Sequence, residues 1–311
     1  MRLEHPFIVV VIVIPLMIVI ARATMSADAR TRAYYWIKRQ WTAFWPFRRG
    51  LGLPTRVRPF LEPLVPVWVE VEPGMRMLLD PNDLVSRVIM ETGVWEAAPR
   101  AIEECLSSGA TFVDIGAHIG YYSLKAAAAV GTAGRVVAIE PNPGTVEKLR
   151  KNIDASGATS ITVVPCACYD CEATLDLFAG PASNSGKGSI SKANSEEHGP
   201  VGVSHRVRGK ALDDIVRDAG LSRVDVVKID VEGAELLVLK GARETLDRYA
   251  PILFIELEDE LLKPMNTSVA EVVEFLRSRG YTLVHQYDEA NFEFRPARSA
   301  GDLPSAATVS Q

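Results

Sequence analysis

The sequence has few cysteines, and no second pair of cysteines or histidines follows them at zinc-finger spacing. Only four cysteines occur in 311 residues. Cys105 stands alone, whereas Cys166, Cys168 and Cys171 share one short stretch. A closed zinc site needs four suitably spaced ligands, and no second pair follows this cluster. The pattern therefore favours reduced thiols over a metal centre and is typical of a reducing compartment.

The sequence also lacks an excess of basic charge. It contains 34 lysines and arginines against 39 acidic residues, which gives a net charge of −5 and a pI near 5.7. This balance excludes the electrostatic footprint of a nucleic-acid-binding protein. A hydrophobic content of 48% and a charged content of 23% are typical of a globular chain. We therefore expect a small-molecule acceptor, or one linked to a glycan or a lipid.

No apolar run reaches the length of a typical membrane span. Phe7–Ile20 carries no charge, but it is shorter than the roughly 20 residues that a spanning helix needs, and Pro15 interrupts it. Three interpretations stay open: a signal-anchor, the apolar region of a cleaved signal peptide, or a start site that truly lies at Met25. Basic residues follow the run, which predicts a cytoplasmic enzyme, anchored at the inner face of the membrane if the run is a real anchor.

Seven aromatic residues lie between Tyr34 and Phe47 among basic residues, as in a segment that lies on an anionic membrane. A helix packed on the protein surface is the alternative. The sequence thus predicts four parts. They are a hydrophobic segment (1–24), a basic and aromatic segment with a linker (25–66), a catalytic domain (67–295) and a disordered tail (296–311).

Strand and helix patterns alternate from Thr111 onward. Buried strands are predicted at Arg135–Ile139 and Val224–Ile229, and Ser268 is predicted to cap a helix. Alternation of this kind predicts an α/β fold, a three-layer αβα sandwich with a mostly parallel sheet. The polar, glycine- and serine-rich stretch Ala182–His205 has no clear periodicity and is predicted to be a loop or lid on the substrate side.

A glycine-containing turn follows the first strand of this region. It reads Asp114-Ile-Gly116-Ala117-His118-Ile-Gly120, and its G-x-x-x-G spacing differs from the G-x-G-x-x-G of dinucleotide sites. Asp114 would repel a pyrophosphate but suits an amine-bearing cation. One strand later, Glu140 is placed to accept both hydroxyls of a ribose. Together the two acids favour an adenosyl ligand without phosphates, which predicts S-adenosylmethionine as the cofactor.

Acidic residues also follow the fourth and fifth strands of the predicted sheet. Asp230 and Glu232 end the strand beside the cofactor crevice, and Glu256 ends the strand after it. A carboxylate within hydrogen-bond reach can remove a proton from an acceptor hydroxyl, so these three residues are the catalytic candidates. The alternatives are that Asp230 caps the following helix and that Glu256 is an exposed strand end. The three acids could also hold Mg²⁺, but their spacing is not diagnostic and no metal is predicted.

These motifs together resemble the FkbM family of methyltransferases. The matching pieces are TGVWE from Thr92, FVDIGAHIGYYS from Phe112, VVAIEPNP from Val136, LDDI from Leu212 and VDVVKIDVEGAELLVLKGA from Val224. The resemblance implies a class I methyltransferase fold with a seven-stranded sheet whose last strand is antiparallel. It also implies O-methylation of a hydroxyl, typically on a sugar or polyketide. One departure is His118, where such loops often carry asparagine.

By the same resemblance, Ala167 and Cys168 correspond to the turn on the adenine side of the cofactor. The predicted cofactor-binding residues are therefore Asp114, Gly116, Ala117, His118, Gly120, Glu140, Asn142, Ala167 and Cys168. The leading function is an S-adenosylmethionine-dependent O-methyltransferase acting on a sugar, glycolipid or secondary-metabolite hydroxyl. A nucleotide-dependent oxidoreductase is disfavoured by the missing third glycine, and a membrane-tethered binding module is disfavoured by the intact acidic residues.

Overall fold

A computed structural model describes residues 25–44, 64–95, 99–196 and 204–297. The predicted hydrophobic segment, most of the linker and the predicted tail beyond residue 297 lie outside the described residues. Within the described ranges, no helix is both long enough and apolar enough to cross a membrane. The described residues divide into two compact units, and residues 25–44, 64–95, 154–157 and 182–186 form the first.

The helices and strands alternate through most of the chain. The strands are β1 (Val67–Glu72), β2 (Met75–Leu79), β3 (Thr111–Ile115), β4 (Arg135–Ile139), β5 (Ile161–Val164), β6 (Ala167–Tyr169), β7 (Ala173–Phe178), β8 (Ser204–Ala211), β9 (Val226–Ile229), β10 (Ile252–Glu256), β11 (Tyr281–Gln286) and β12 (Asn291–Pro296). The helices are α1 (Ala27–Phe44), α2 (Leu84–Thr92), α3 (Pro99–Cys105), α4 (Tyr121–Val130), α5 (Pro143–Ser156), α6 (Lys192–Glu196), α7 (Leu212–Asp218), α8 (Glu235–Lys240), α9 (Arg243–Tyr249), α10 (Asp259–Leu262) and α11 (Val269–Ser278), with a 3₁₀ turn at Lys263–Met265.

The second unit is built around a seven-stranded sheet. Its strand order is β11-β12-β10-β9-β3-β4-β5. The strands from β10 to β5 pair in parallel, whereas β12 runs antiparallel to both of its neighbours. This is the sheet of a class I methyltransferase with its antiparallel last strand, so the predicted fold class is confirmed.

The two faces of the sheet differ in chemistry because side chains alternate along each strand. On one face, Val113 and Ile115 of β3, together with Val227 and Ile229 of β9, join a continuous apolar core with helices α7, α8, α9 and α11. On the other face, Asp114 of β3 pairs in register with Lys228 of β9. The sheet therefore carries a buried charged pair on the face opposite its main core.

Local sequence signals set several helix boundaries as predicted. The side chain of Asn142 accepts hydrogen bonds from the backbone N–H groups of Gly144 (3.0 Å) and Thr145 (3.3 Å), which caps α5. Ser268 caps α11 by accepting from the N–H of Glu271 at 3.3 Å. The caps satisfy helix N–H groups that have no partner within the helix itself.

A small second sheet was not predicted. Strands β6, β8 and β7 form it in that order, and β8 extends from Ser204 to Ala211. The prediction of an irregular loop over Ala182–His205 is correspondingly wrong in part, because this stretch includes α6 and the first residues of β8. Ser189 also forms a bridge with Phe178. Polar side chains of this stretch form hydrogen bonds with backbone carbonyls. The stretch therefore lacks the regularly spaced apolar residues from which a helix or strand is predicted.

The first compact unit contains α1, α2 and the β1–β2 hairpin. Tyr34 and Tyr35 of α1 are buried, and Val65 donates its N–H to the Thr31 hydroxyl at 3.1 Å. The helix therefore packs within this unit, as in the alternative interpretation of the aromatic segment. Trp36 differs from its neighbours, with 66% of its surface exposed.

All four cysteines are free thiols. Cys166 and Cys168 are buried in the main core, whereas Ala167 between them packs in the cluster beneath the small sheet. Burial raises the pKa of the Cys166 thiol to about 11 and raises the pKa of Cys168 further. Cys171 is exposed.

Candidate active site

The glycine-containing turn between β3 and α4 is held close to the ends of two neighbouring strands. The N–H groups of Gly116 and Ala117 both donate to the carbonyl of Ile139 at 3.0 Å. Gly116 has φ of 83°, and a Cβ atom there would lie 1.8 Å from the carbonyl oxygen of Asp230. Gly116 is therefore required by the approach of the β9 end, in addition to any approach of a cofactor. At Gly120, a Cβ atom would lie 2.5 Å from Leu149.

His118 takes a backbone conformation that explains its departure from the family pattern. Its φ is 48°, in the left-handed region that asparagine and histidine enter more readily than most residues. Its N–H donates to Glu140 Oε2 at 3.0 Å. The structure thus gives His118 a backbone contact with the predicted ribose-binding acid, and the replacement of asparagine by histidine keeps the turn conformation accessible.

Glu140 is the acid that closes β4, and it is almost completely buried. Its Oε1 atom accepts from the N–H of Asn142 at 2.8 Å, and its Oε2 atom accepts from His118. Burial raises the pKa of Glu140 to about 7, against the opposing effect of these two backbone donors. Each carboxylate oxygen has a second lone-pair position, so both oxygens can still accept a hydroxyl.

Asp114 lies beneath the turn and is fully buried. Its Oδ2 atom accepts from the Ser123 hydroxyl at 2.5 Å, while Oδ1 is buried and has no hydrogen-bond partner among the described residues. Burial raises the pKa of Asp114, and the neighbouring Lys228 ammonium opposes that shift. An unmatched buried acceptor beside the turn fits a ligand that brings an amine donor.

The three catalytic candidates come together at the carboxyl ends of β9 and β10. Carboxylate oxygens of Asp230, Glu232 and Glu256 all lie within 4.8 Å of one another. Two lysines enter the same cluster. Lys228 Nζ donates to Asp230 Oδ2 at 2.8 Å, and Lys187 Nζ donates to Glu232 Oε2 at 3.0 Å. The predicted grouping of acids is thus present, with two cations that offset part of its charge.

The members of this acidic cluster differ strongly in proton affinity. Although burial opposes ionisation, the Lys228 ammonium lowers the pKa of Asp230 to about 2. Burial and the Asp230 charge raise the pKa of Glu232 to about 8, against the attraction of Lys187. Separation of proton affinities between neighbouring carboxyls is a recurrent feature of acid–base sites. Glu232 is therefore the group suited to exchange a proton near neutral pH.

The loop that carries Glu232 is shaped by Glu235 behind it. Glu235 is buried, and its Oε1 atom accepts from the N–H of Gly233 at 3.0 Å and of Val231 at 3.3 Å. Glu235 thus supports the turn before α8. Asp230 makes no side-chain cap on α8, whose N-cap residue is Ala234.

The adenine-side residues are placed differently from the expected turn. Ala167 and Cys168 form the buried strand β6, which pairs with Gly209 and Lys210 of β8. Pairing with a strand that the sequence did not reveal gives this segment its extended form. Their role toward an adenine ring stays a prediction.

Sequence reasoning missed both lysines of the acidic cluster. Lys228 interrupts the apolar strand Val226–Ile229, and it lies 4.6 Å from the centre of the Tyr122 ring, over which its ammonium is placed. A charged residue inside a buried strand is costly without partners, so this signal was available. Lys187 lies in a polar stretch without periodicity, where no local pattern distinguishes it from a solvated lysine.

The sequence model of a protein family, the methyltransferase FkbM domain, matches residues 114–283 of this chain. This match includes the glycine turn, Glu140 and all three acids of the cluster. The chain belongs to the FkbM methyltransferase family. The cofactor of this family is S-adenosylmethionine, and the cofactor prediction is confirmed. Membership also favours a methyltransferase over the nucleotide-dependent oxidoreductase.

Curated relatives of the chain include methyltransferases from different organisms. Methyltransferase sdnD of Sordaria araneosa is 32% identical over 163 residues, which cover 45% of this chain and 62% of the relative. Hexuronic acid methyltransferase AglP of Haloferax volcanii is 32% identical over 137 residues, covering 43% and 50%. 2-O-methyltransferase NoeI of Sinorhizobium fredii is 33% identical over 89 residues, covering 29% and 34%. The matched part thus spans less than two thirds of each of these relatives.

Among solved structures, an FkbM methyltransferase from Methylobacillus flagellatus is 20% identical, with a TM-score of 0.38. That comparison covers 84% of this chain and 57% of the other.

The residues around the glycine turn fit the family cofactor. The unmatched Oδ1 atom of Asp114 can accept from an amine, and the oxygens of Glu140 can accept from ribose hydroxyls. The oxygen-rich cluster of Asp230, Glu232 and Glu256 also has ligand types that suit Mg²⁺. However, Lys187 and Lys228 already donate to two of these three acids.

Proposed function

We propose that this chain transfers a methyl group from S-adenosylmethionine to a hydroxyl of a sugar, glycolipid or secondary metabolite. One observation carries the proposal: the carbonyl of Asp230 lies against Gly116, so the acidic cluster directly adjoins the cofactor turn. Two relatives, a hexuronic acid methyltransferase and a 2-O-methyltransferase, support a sugar hydroxyl as the acceptor.

In the proposed reaction, the protein orients the acceptor and removes its proton. S-adenosylmethionine supplies a methyl group on a good leaving group. Glu232 in its ionised form takes the hydroxyl proton, because its raised pKa makes it a stronger base than an ordinary carboxylate. Asp230 stays ionised and accepts a hydrogen bond from the acceptor, and Glu256 lies beside it. Lys187 keeps part of the Glu232 population ionised at neutral pH by holding that carboxylate at 3.0 Å.

The proposal is tested by incubating the full chain with S-adenosylmethionine carrying a ¹³C-labelled methyl group and a panel of methyl glycosides. The panel contains neutral hexosides and hexuronides, and new O-methyl signals are detected by NMR. Transfer in the wild type, lost in Glu232→Gln with cofactor binding retained, is the expected result. Cofactor binding without transfer to any hydroxyl compound, including lipid-linked sugars, would favour the binding-module alternative.

A narrower version of the proposal places the acceptor on a lipid. Trp36 supports it, because this large side chain is exposed on α1 within a basic, aromatic segment. The test is co-sedimentation of the full chain with vesicles of phosphatidylglycerol and phosphatidylcholine. Binding that weakens in Trp36→Ala is expected, and unchanged binding would remove α1 from the proposal.

A further inference from the structure

The backbone of Glu232 is held in a conformation that glutamate rarely adopts. Its φ is 55°, and Gly233 follows with φ of 105°. A non-glycine residue in the left-handed region persists only when its surroundings over-determine the conformation. The position of the Glu232 carboxylate therefore depends on whatever holds this part of the chain.

Two side chains from the segment between β7 and β8 hold it. Ser189 donates its hydroxyl to the Glu232 carbonyl at 2.7 Å, and Asn194 Nδ2 donates to the same carbonyl at 2.9 Å. Asn194 Nδ2 also donates to the carbonyl of Leu261 at 2.8 Å. Both side chains are 2% exposed, so water does not compete for these bonds.

The contact to Leu261 connects two acids of the cluster. Leu261 lies in α10, shortly after Glu256 at the end of β10. The Asn194 amide thus joins the loop that carries Glu232 to the segment that follows Glu256. Through two hydrogen bonds from one amide, it sets how far apart these segments lie.

We infer that Asn194, assisted by Ser189, is a positioning residue that orients Glu232 toward the acceptor and fixes its spacing from Glu256. The inference rests on the proposed function for the role of Glu232 as the base. It gives a role to the segment between β7 and β8, which is separate from the glycine-containing turn and from the strand ends that carry the acidic cluster. Asn194 acts through Glu232 and does not itself take part in proton transfer.

The Asn194 amide is closely packed against the loop that carries Glu232. A Cβ atom on Gly233 would lie 2.5 Å from Asn194 Nδ2 and 2.3 Å from the Leu261 carbonyl oxygen. The amide orientation follows from chemistry, because only an NH₂ group can donate to two carbonyls. An aspartate at position 194 would instead place oxygen atoms against both carbonyl oxygens.

The chain offers a matched control in the same helix. Ser195 is 1% exposed, and its hydroxyl donates to the carbonyls of Phe178 (3.1 Å) and Ser191 (3.4 Å). Neither contact involves Glu232. Ser195→Ala therefore removes a buried hydroxyl from α6 without touching the proposed connection.

The experiment follows the titration of the Glu232 carboxyl by NMR. The full chain is labelled with ¹³C at glutamate side-chain carboxyls, and the Glu232 signal is assigned as the one lost in Glu232→Gln. The charged groups that act on it are Asp230, Lys187 and Glu235. In Asn194→Ala we expect the pKa of Glu232 to fall from about 8 toward its ordinary value of 4.5, because the released loop admits water. Ser189→Ala should give a smaller shift in the same direction.

A second measurement on the same samples is the rate of hydrogen exchange at the Gly233 backbone amide. It should accelerate by about tenfold or more in Asn194→Ala, since local opening exposes the bond to Glu235. Ser195→Ala should leave both readings unchanged. Asn194→Ser keeps one donor and should therefore give a Glu232 pKa between those of the wild type and Asn194→Ala. If Asn194→Ala does not fold, the Glu232 pKa in Asn194→Ser tests the inference.

An unchanged Glu232 titration in Asn194→Ala, or an equal change in Ser195→Ala, would overturn the inference. Neither reading requires an acceptor. A shifted titration in a chain without methyl transfer would therefore contradict the proposed function and support the positioning role. Methyl transfer by the wild type, together with an unshifted Glu232 titration in Asn194→Ala, would support the proposed function and contradict the positioning role.

Discussion

The carbonyl oxygen of Asp230 occupies the space into which a side chain on Gly116 would extend, because a Cβ atom there would lie 1.8 Å away. The glycine-containing turn and the acidic cluster are consequently in direct contact through their backbones. The N–H of Asp230 also donates to the Ile115 carbonyl at 3.0 Å, one residue before Gly116. Any shift of the turn therefore displaces the first acid of the cluster.

Replacement of Gly116 by alanine should disrupt this contact. Part of the cost arises because alanine is strained at φ of 83°. The rest arises because the new methyl group overlaps the Asp230 carbonyl. We expect Gly116→Ala to lose S-adenosylmethionine binding in calorimetric titration and to lower the denaturation midpoint.

Gly109 provides the control for backbone strain. Its φ is also 83°, but a Cβ atom there would meet nothing within 4 Å. Gly109→Ala should cost only the left-handed penalty of about 1–2 kcal/mol. Gly116→Ala should be destabilised by a further ~2 kcal/mol from overlap. Equal destabilisation of the two variants would contradict the steric explanation.

Cofactor binding should weaken as the pH falls below 7. The pKa of Glu140 is raised to about 7. If Glu140 binds the ribose, as we expect, the ribose hydroxyls donate to its ionised form. Binding therefore favours loss of the proton, and acidification opposes it. The Kd measured by calorimetry should rise from pH 8 to pH 6, by up to about tenfold for each pH unit below the pKa.

Glu140→Gln should bind more weakly and lose this part of the pH dependence, because the amide does not titrate. The comparison is needed because Glu235 also has its pKa raised to about 7 by burial. A pH dependence that persists unchanged in Glu140→Gln would assign the titration to another group.

Methyl transfer should accelerate as the pH rises through about 8. Only ionised Glu232 can accept the hydroxyl proton, and its pKa is raised to that value. Lys187→Met should move the midpoint of kcat to higher pH, because the ammonium that favours ionisation is removed. Lys151→Met, which removes an exposed lysine from α5, is the matched control and should leave the profile unchanged. A pH-independent kcat across this range would argue against Glu232 as the base.

Asp213 of the LDDI motif should contribute to stability rather than to catalysis. Its carboxylate accepts from the backbone N–H groups of Glu244 (3.0 Å) and Thr245 (2.8 Å), which caps α9 from a neighbouring helix. Asp213→Ala should lower the free energy of unfolding by about 1–2 kcal/mol, measured by urea denaturation. Asp214→Ala removes only a surface pair with Arg217 and should cost much less. Loss of cofactor affinity in Asp213→Ala at temperatures where it is folded would point to a direct role.

Much of the sheet could be predicted because its signals are local. The strand at Arg135–Ile139 has the bounds expected from its apolar run, and the Asn142 and Ser268 caps lie where side-chain chemistry placed them. The grouping of Asp230, Glu232 and Glu256 was also predictable, since neighbouring parallel strands bring their carboxyl ends to one edge.

The features that were missed depend on long-range pairing. Strand β8 is paired on both sides, and its alternating basic residues gave no apolar pattern. The roles of Ser189 and Asn194 follow only from the fold, which brings their segment against a strained backbone some forty residues later. Such contacts have no signature in sequence spacing.

The three clustered thiols differ in their accessibility to chemical modification. Because Cys166 and Cys168 are buried with raised pKa values, alkylating reagents and peroxide will reach them only when the core opens. Cys171 is exposed and reacts without unfolding. The two cysteines therefore report on local opening of the protein. The rate of labelling at Cys168, compared with the rate at Cys171, measures how often the core around β6 opens.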